Sequence, residues 1–300
     1  MYRIVEKSVL NPVIKEFVVE APLVARKAEP GQFVIVRLGE QGERVPLTIA
    51  DFDRERGTIT IVFQEVGKST RILGCLDAGQ SITDVVGPLG IPAELPESGS
   101  VACVAGGVGV APMYPKAKAM HAAGIEVVSI VGARSADLLI MEDRMKAVSS
   151  ELHVCTDDGS RGFHGFVSEK LKALIESGRR FDEVIAIGPL PMMRATCEVT
   201  RPLGLKTWVS LNSIMVDGTG MCGACRVTVG GRTKFCCVDG PMFDGHEVDF
   251  KEAIRRSQIY CDQEKTALEQ WEGCSGHIAG HAGHADHAGH GGCCGGGKRG

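Results

Sequence analysis

Val101-Ala-Cys-Val-Ala105 runs straight into Gly106-Gly-Val-Gly109-Val-Ala-Pro112. A short apolar run closed by glycines and followed by a helix-compatible segment, about Met113–Ala123, is the strand–loop–helix opening of a parallel α/β unit. The glycines let backbone approach a pyrophosphate, and the helix N-terminus favours its charge. The stretch lacks the strict G-x-G-x-x-G pattern, so a plain tight turn is the alternative.

Downstream the alternation continues. Val127–Val131, Leu152–Thr156 and Glu183–Ile187 read as strands; Asp137–Val148 and Val167–Ser177 read as helices. Together they predict a doubly wound parallel sheet over 97–205. Two later strand ends carry turn chemistry, Thr156-Asp157-Asp158-Gly159 and Gly188-Pro-Leu-Pro-Met192. Ligands of open α/β sheets bind at the carboxyl ends of strands.

Upstream, residues 1–96 hold short runs rich in Val, Ile and Phe: Tyr2–Val5, Phe17–Val19, Phe33–Arg37, Leu47–Ala50, Thr58–Phe63 and Ser81–Val85. Turn residues separate them, which predicts a small antiparallel β barrel or sandwich. Arg44-Val-Pro-Leu-Thr48 puts Arg and Thr on one face of a strand. Arg can clamp a pyrophosphate and Thr can hydrogen-bond a flavin ring. Gly67-Lys68-Ser69-Thr70 opens a short helix suited to phosphate. The bland readings are a surface strand residue and an N-capped turn.

Residues 206–249 are rich in glycine and cysteine and show little periodic structure. Asp217-Gly-Thr-Gly-Met-Cys222-Gly-Ala-Cys225, with Cys236-Cys237 beyond it, has the C-x4-C-x2-C spacing of plant-type 2Fe–2S ferredoxins, with Asp217 in the first cysteine position. The intervening glycines allow the positive-φ turns of a loop that points N–H groups at sulfur. In the alternative, Asp217 is a turn residue and Cys222, Cys225, Cys236 and Cys237 hold the metal. A zinc ribbon would need a second C-x2-C.

A docking helix is expected over 250–273, with Phe250, Ile254, Cys261, Leu268 and Trp271 on one face and Ser257 and Glu264 interrupting it. The tail, 274–300, is low in complexity and rich in Gly and His, with a Cys293-Cys294 pair. It is expected to be disordered, and its composition suits nickel, zinc or copper as well as a solvated extension. Cys75, Cys103, Cys155 and Cys197 read as small buried hydrophobes.

The chain has 300 residues, 44% hydrophobic and 23% charged, which suits a soluble protein of several domains. A net charge of −4 and 5% aromatic content argue against nucleic-acid binding. No apolar run approaches a membrane span, and no leader is evident at the N-terminus. A reducing, cytoplasmic compartment is therefore expected, where clustered cysteines are metal ligands.

Arg44–Thr48, Gly87-Pro-Leu-Gly90, Gly106–Pro112 and Gly188–Met192 together resemble the ferredoxin–NADP reductase superfamily. The cysteine unit ending Cys237-Val-Asp-Gly-Pro241 is similar to a subset. It includes the electron-transfer subunit of NAD-dependent dihydroorotate dehydrogenase and the small subunit of the electron-bifurcating NADH-dependent ferredoxin–NADP oxidoreductase. The former has cysteine where this chain has Asp217; the latter carries an Asp-plus-three-Cys cluster. The resemblance implies cluster ligands Asp217, Cys222, Cys225 and Cys237. It implies an FAD site of Arg44, Pro46, Leu47, Thr48, Val62, Gln64, Gly67, Ser69 and Thr70. A nicotinamide dinucleotide would sit on Gly106, Gly107, Val108, Gly109, Ala111, Pro112, Gly188, Pro189 and Met192, with Arg134 and Asp157 beside it. NAD(H) is favoured, although Arg134 is placed where an Arg can accept a 2′-phosphate. The implied activity is hydride exchange between NAD(H) and FAD, with single electrons passing through the cluster to or from a larger flavin and iron–sulfur subunit, and through it indirectly to ferredoxin. Subunits of dihydroorotate dehydrogenase, a hydrogenase or a sulfite reductase are the alternatives.

Overall fold

The computed structural model describes residues 1–271 and 273; the 274–300 tail lies outside them. The first unit comprises β1 (Tyr2–Asn11), β2 (Ile14–Glu20), α1 (Pro22–Lys27), β3 (Phe33–Arg37), β4 (Val45–Asp53), β5 (Thr58–Gln64), α2 (Lys68–Gly74), β6 (Ser81–Ile82) and β7 (Asp84–Leu89). Its seven strands pair in the order β6-β1-β2-β5-β4-β3-β7, all antiparallel. The two edge strands are separated in sequence by Thr83 alone, so the chain itself draws the edges together into a nearly closed barrel. Inside, Phe17 and Phe63 meet edge to face, centroids 5.1 Å apart, among buried Ile4, Val19, Val34, Ile49, Ile59 and Ile61.

The second unit comprises β8 (Ser100–Gly106), α3 (Val110–Ala122), β9 (Glu126–Ala133), α4 (Glu142–Ala147), β10 (Glu151–Thr156), β11 (Phe163–His164), α5 (Val167–Glu176), β12 (Glu183–Ile187), α6 (Leu190–Thr200) and β13 (Thr207–Ser210). These strands run parallel in the order β11-β10-β9-β8-β12-β13. The near-continuous apolar runs at 101–105 and 184–187 are buried on both faces, as parallel strands must be. The strand order reverses between β8 and β12, so a crevice opens at their carboxyl ends.

The remaining elements are β14 (Arg226–Val229), β15 (Arg232–Phe235), β16 (Met242–Asp244), α7 (Phe250–Ser257) and α8 (Cys261–Glu269). β16 pairs antiparallel with β13, extending the large sheet. The 206–249 segment is more regular than its composition suggested. β14 and β15 form a hairpin closed by Gly230-Gly231, both at positive φ (57° and 72°), the backbone that a two-residue hairpin loop demands. Residues of this unit, Cys225, Val227, Cys236 and Cys237, pack into the same core as α5 and α6.

Two helices differ from expectation. The Asp137–Val148 helix is a 3-10 turn at Ala136–Leu138 followed by α4. Leu139 is extended and Met141 left-handed (φ 53°), a detour that buries Ile140. The single helix over 250–273 is two, α7 and α8. Phe250 is buried and Cys261 exposed, so the expected common face is broken at the turn Gln258–Tyr260, where Cys261 N donates to Gln258 O (3.3 Å). No described helix is long and apolar enough to cross a membrane.

Candidate functional site

Three loop clusters carry the chemistry-bearing residues. The first lies at the reversal point of the parallel sheet. Gly106 ends β8, Gly107–Gly109 forms a 3-10 turn with Gly107 at φ 57°, and α3 begins at Val110. Gly188 and Pro189 follow β12 and lead into α6. A Cβ on Gly109 would lie 2.3 Å from Ile187 O, and Cβ atoms on Gly106 and Gly188 would lie 2.6 and 2.8 Å from Met192 Sδ. The glycines thus let two strand-end loops close on each other, leaving backbone rather than side chain at the crevice. At the neighbouring strand ends, Asp157 N and Asp158 N donate to Ala133 O and Arg134 O (both 3.1 Å). This brings Arg134 beside Asp157; Arg134 is exposed and forms no ion pair among the described residues. Partial burial, with the Asp158 charge added, raises the Asp157 carboxyl, while hydrogen bonds from Ser160 lower that of Asp158.

The second cluster belongs to the barrel. Phe33 pairs with Thr48, Ile35 with Pro46, and Ile49 with Ile61, which sets Thr48 and Val62 on neighbouring strands. Ser69 Oγ donates to the Glu43 carboxylate, drawing the entry to β4, with Arg44, toward α2. Thr70 Oγ1 accepts from Val66 N and Gly67 N (3.1 Å each), fixing the Gly67–Thr70 turn. Arg44 is exposed and has no acidic partner among the described residues. An open guanidinium beside a fixed turn suits an anionic pyrophosphate. The two clusters adjoin: Val62 and Ala50 of the barrel pack with Val110 and Ala111 of the glycine loop and helix.

The third cluster is the loop Asp217–Cys225 with Cys237. Gly218, Gly220 and Gly223 all have positive φ (78°, 86° and 66°). A Cβ on Gly218 would sit 2.5 Å from Ile35 Cδ1, so the loop lies directly on β3 of the barrel. Asp217 accepts from Thr219 N (Oδ1, 2.6 Å) and Cys222 N (Oδ2, 2.8 Å), and these bonds hold its carboxyl below the usual carboxylate range. Each oxygen keeps a free lone pair. Cys225 Sγ and Cys237 Sγ are 3.2 Å apart and buried. Burial and the Cys225 sulfur beside it push the Cys237 thiol up to about 12, and the Asp217 charge adds to this. Thiolates so placed need a cation between them.

The adjacent cysteines part company. Cys237 meets Cys225, whereas Cys236 turns into the apolar core beside Ser213, with its thiol pushed by burial up to about 12. Among the described residues no group of three or more His, Cys, Asp and Glu closes round one point to hold a single metal ion. A binuclear cluster distributes its ligands as pairs on two irons, which is the pattern these residues fit: a buried thiol pair, and a loop-borne carboxylate and thiol.

Cys103, Cys155 and Cys197 are buried thiols, raised by desolvation to about 12, 11 and 12. Cys75 differs, being half-buried and disulfide-bonded. The Glu43–Ser69 contact escaped sequence reasoning because its partners are distant in sequence; only the barrel pairing joins them.

A model of the iron–sulfur cluster binding domain of dihydroorotate dehydrogenase B matches residues 212–249, and one of the oxidoreductase NAD-binding domain matches 103–198. An uncharacterized protein of Clostridium beijerinckii is 51% identical, covering 91% of this chain and 95% of its own length. A homologue of the dihydroorotate dehydrogenase B (NAD(+)) electron transfer subunit from Thermotoga maritima is 48% identical over 89% of this chain and 94% of its own. A chain in the solved structure of the NADH-dependent reduced ferredoxin–NADP oxidoreductase, described for flavin-based electron bifurcation, superposes with a TM-score of 0.86 at 47% identity, covering 90% of this chain and 97% of that one. This chain belongs to the family of the dihydroorotate dehydrogenase B electron-transfer subunit and its homologues, oxidoreductases that join an NAD-binding domain to an iron–sulfur domain.

Proposed function

We propose that this chain is the electron-transfer flavoprotein subunit of an electron-bifurcating NADH-dependent ferredoxin–NADP oxidoreductase, working as a cytoplasmic heterodimer with a larger flavin and iron–sulfur subunit. The observation that carries this reading is the carboxylate at Asp217, held by Thr219 N and Cys222 N, in a loop whose other ligand positions are cysteines. The superposition on the ferredoxin–NADP oxidoreductase chain supports it.

Gly106–Pro112, with Gly188, Pro189 and Met192, would bind the dinucleotide backbone. Arg134 and Asp157 would meet its adenosine end, where the ribose hydroxyls of NAD(H) can hydrogen-bond to Asp157. Arg44 would clamp the FAD pyrophosphate; Pro46, Leu47, Thr48, Val62 and Gln64 would flank its ring, with Gly67, Ser69 and Thr70 at the phosphates. The buried cluster that joins Val62 with Val110 and Ala111 supports a side-by-side arrangement of the two sites. Asp217, Cys222, Cys225 and Cys237 would hold the 2Fe–2S cluster. Bound FAD would supply the exchange between electron pairs from NAD(H) and single electrons for the cluster. Met221 precedes the exposed Cys222, Val216 precedes Asp217 and Val238 follows Cys237; 88%, 46% and 41% exposed, they offer the apolar contact that an electron-accepting partner needs.

Anaerobic affinity capture of this chain from its own cells, with the bound subunit identified by mass spectrometry, tests the reading. A larger flavin and iron–sulfur subunit that oxidises NADPH is the expected result. A dihydroorotate-oxidising partner would replace it with the second reading, which the matched iron–sulfur model favours. Cys222→Ala should abolish the cluster's absorbance and leave FAD bound; an intact cluster would remove Cys222 from the ligand set.

A further inference from the structure

Two arginines hold the peptide units that lie between the cluster-loop cysteines. Arg226 Nη1 donates to Gly223 O (3.1 Å), and Arg256 Nη2 donates to Ala224 O (3.0 Å). The first contact is local. The second spans the fold: Arg256 rides on α7, which is anchored by buried Phe250 and N-capped by Asp249, whose Oδ1 accepts from Glu252 N (2.9 Å). Arg256 is half-buried and lines a small cavity of about 20 Å³ together with Leu190, Ser213, Ala224, Arg226 and Cys236.

A trans peptide points its C=O and N–H in opposite directions. Fixing Gly223 O on one side therefore aims Ala224 N–H to the other, and this is where it is found, donating to Cys222 Sγ at 3.5 Å. By the same constraint, holding Ala224 O on Arg256 turns Cys225 N–H away from α7. A guanidinium on a carbonyl also polarises its peptide, which makes the attached N–H a stronger donor.

We propose that Arg226 and Arg256 are positioning residues that aim the Ala224 and Cys225 amides at the ligand side of the loop and thereby raise the reduction potential of the cluster bound there. Hydrogen bonds to ligand sulfur stabilise the more negative, reduced state, as does each nearby positive charge. Arg256 does this from a separate helix, so α7 sets the electron affinity of a loop to which it contributes no ligand. This inference rests on the 2Fe–2S assignment made above.

The test is an anaerobic redox titration of the full-length holoprotein followed by EPR, on wild type, Arg226→Gln and Arg256→Gln. Pulsed EPR of 15N-labelled protein reads the backbone amide couplings. With iron content and g-values retained, Arg256→Gln is expected to lower the equilibrium constant for one-electron reduction about tenfold, a fall of about 59 mV, and to weaken one amide-nitrogen coupling. Arg226→Gln should do the same at a second nitrogen. Unchanged potential and couplings in a cluster-loaded variant overturn the proposal. Should Arg256→Gln fail to assemble the cluster, Arg256→Lys keeps the charge and loses the planar fork. Its amide coupling should still weaken, and an unchanged coupling there overturns the proposal equally. Absence of a 2Fe–2S signal in wild type would instead remove the functional reading on which the inference stands.

Discussion

Gly109 leaves no room for a methyl group: a Cβ there would press to 2.3 Å on Ile187 O, a backbone atom that cannot rotate aside. Gly109→Ala must therefore push the β8 and β12 loops apart at the proposed nicotinamide crevice. We expect NADH binding to weaken at least tenfold, about 1.4 kcal/mol, with the flavin spectrum unchanged; calorimetric titration reads it, and wild-type affinity would show that the loops do not meet the dinucleotide. At this scale the candidate loops were legible in sequence, since cysteine spacing and glycine loops are local properties. The orientation of Cys236 was not. Which of two adjacent thiols faces Cys225 depends on how the β14–β15 hairpin is set against Ser213 and the core.

Helix α3 carries an expensive residue. Lys116 is fully buried, and its ammonium donates to Pro112 O at 2.9 Å. Desolvation lowers its pKa from 10.5 to about 8, with the neighbouring Cys103 opposing the shift. A lysine whose folded pKa is depressed binds its proton less readily than in the unfolded chain. Its contribution to stability is therefore least favourable below about pH 8 and improves between about 8 and 10.5. Lys116→Met should stabilise the fold at neutral pH by about 3 kcal/mol, and the gain should shrink to nothing near pH 10.5. Denaturant melts at several pH values check this, and a gain that did not vary with pH would refute it. Elements were readable where periodicity was strong, as in β12 and α5. They were misread where one side chain overruled the pattern: burial of Ile140 splits the predicted helix before α4. The β14–β15 hairpin was overlooked because its Gly-Gly turn sits within a stretch already dense with glycine and cysteine.

Among the described residues of the whole molecule, three polar ties hold the barrel to the α/β unit. Asn11 Nδ2 donates to Leu138 O (3.1 Å), Lys118 pairs with Asp51 (2.9 Å), and Arg144 pairs through both terminal nitrogens with Glu16. The Glu16 side chain is only 5% exposed, and Arg144 is the partner its carboxylate meets there. Arg144→Ala would strand that carboxylate, at a cost on the order of 2 kcal/mol, below that of a fully buried pair because Arg144 itself is 44% exposed. Thermal unfolding read by flavin fluorescence checks it, and an unchanged midpoint would place the interface energy elsewhere. None of these ties was visible in sequence, because each joins residues far apart along the chain and charge placement alone names no partner.

Met192 stands where these scales meet. Its sulfur fills the space that Gly106 and Gly188 leave between two strand ends, and unlike the buried Met113, Met120, Met145 and Met193 it is partly open to solvent. Peroxide would reach it before those four. The sulfoxide is larger and polar, and the crevice has no slack on either side to receive its oxygen. Peroxide damage at Met192 would therefore strain the junction of the β8 and β12 loops, once the more exposed Met1 and Met221 had been spent, and methionine sulfoxide reductase would reverse it without any refolding of the chain.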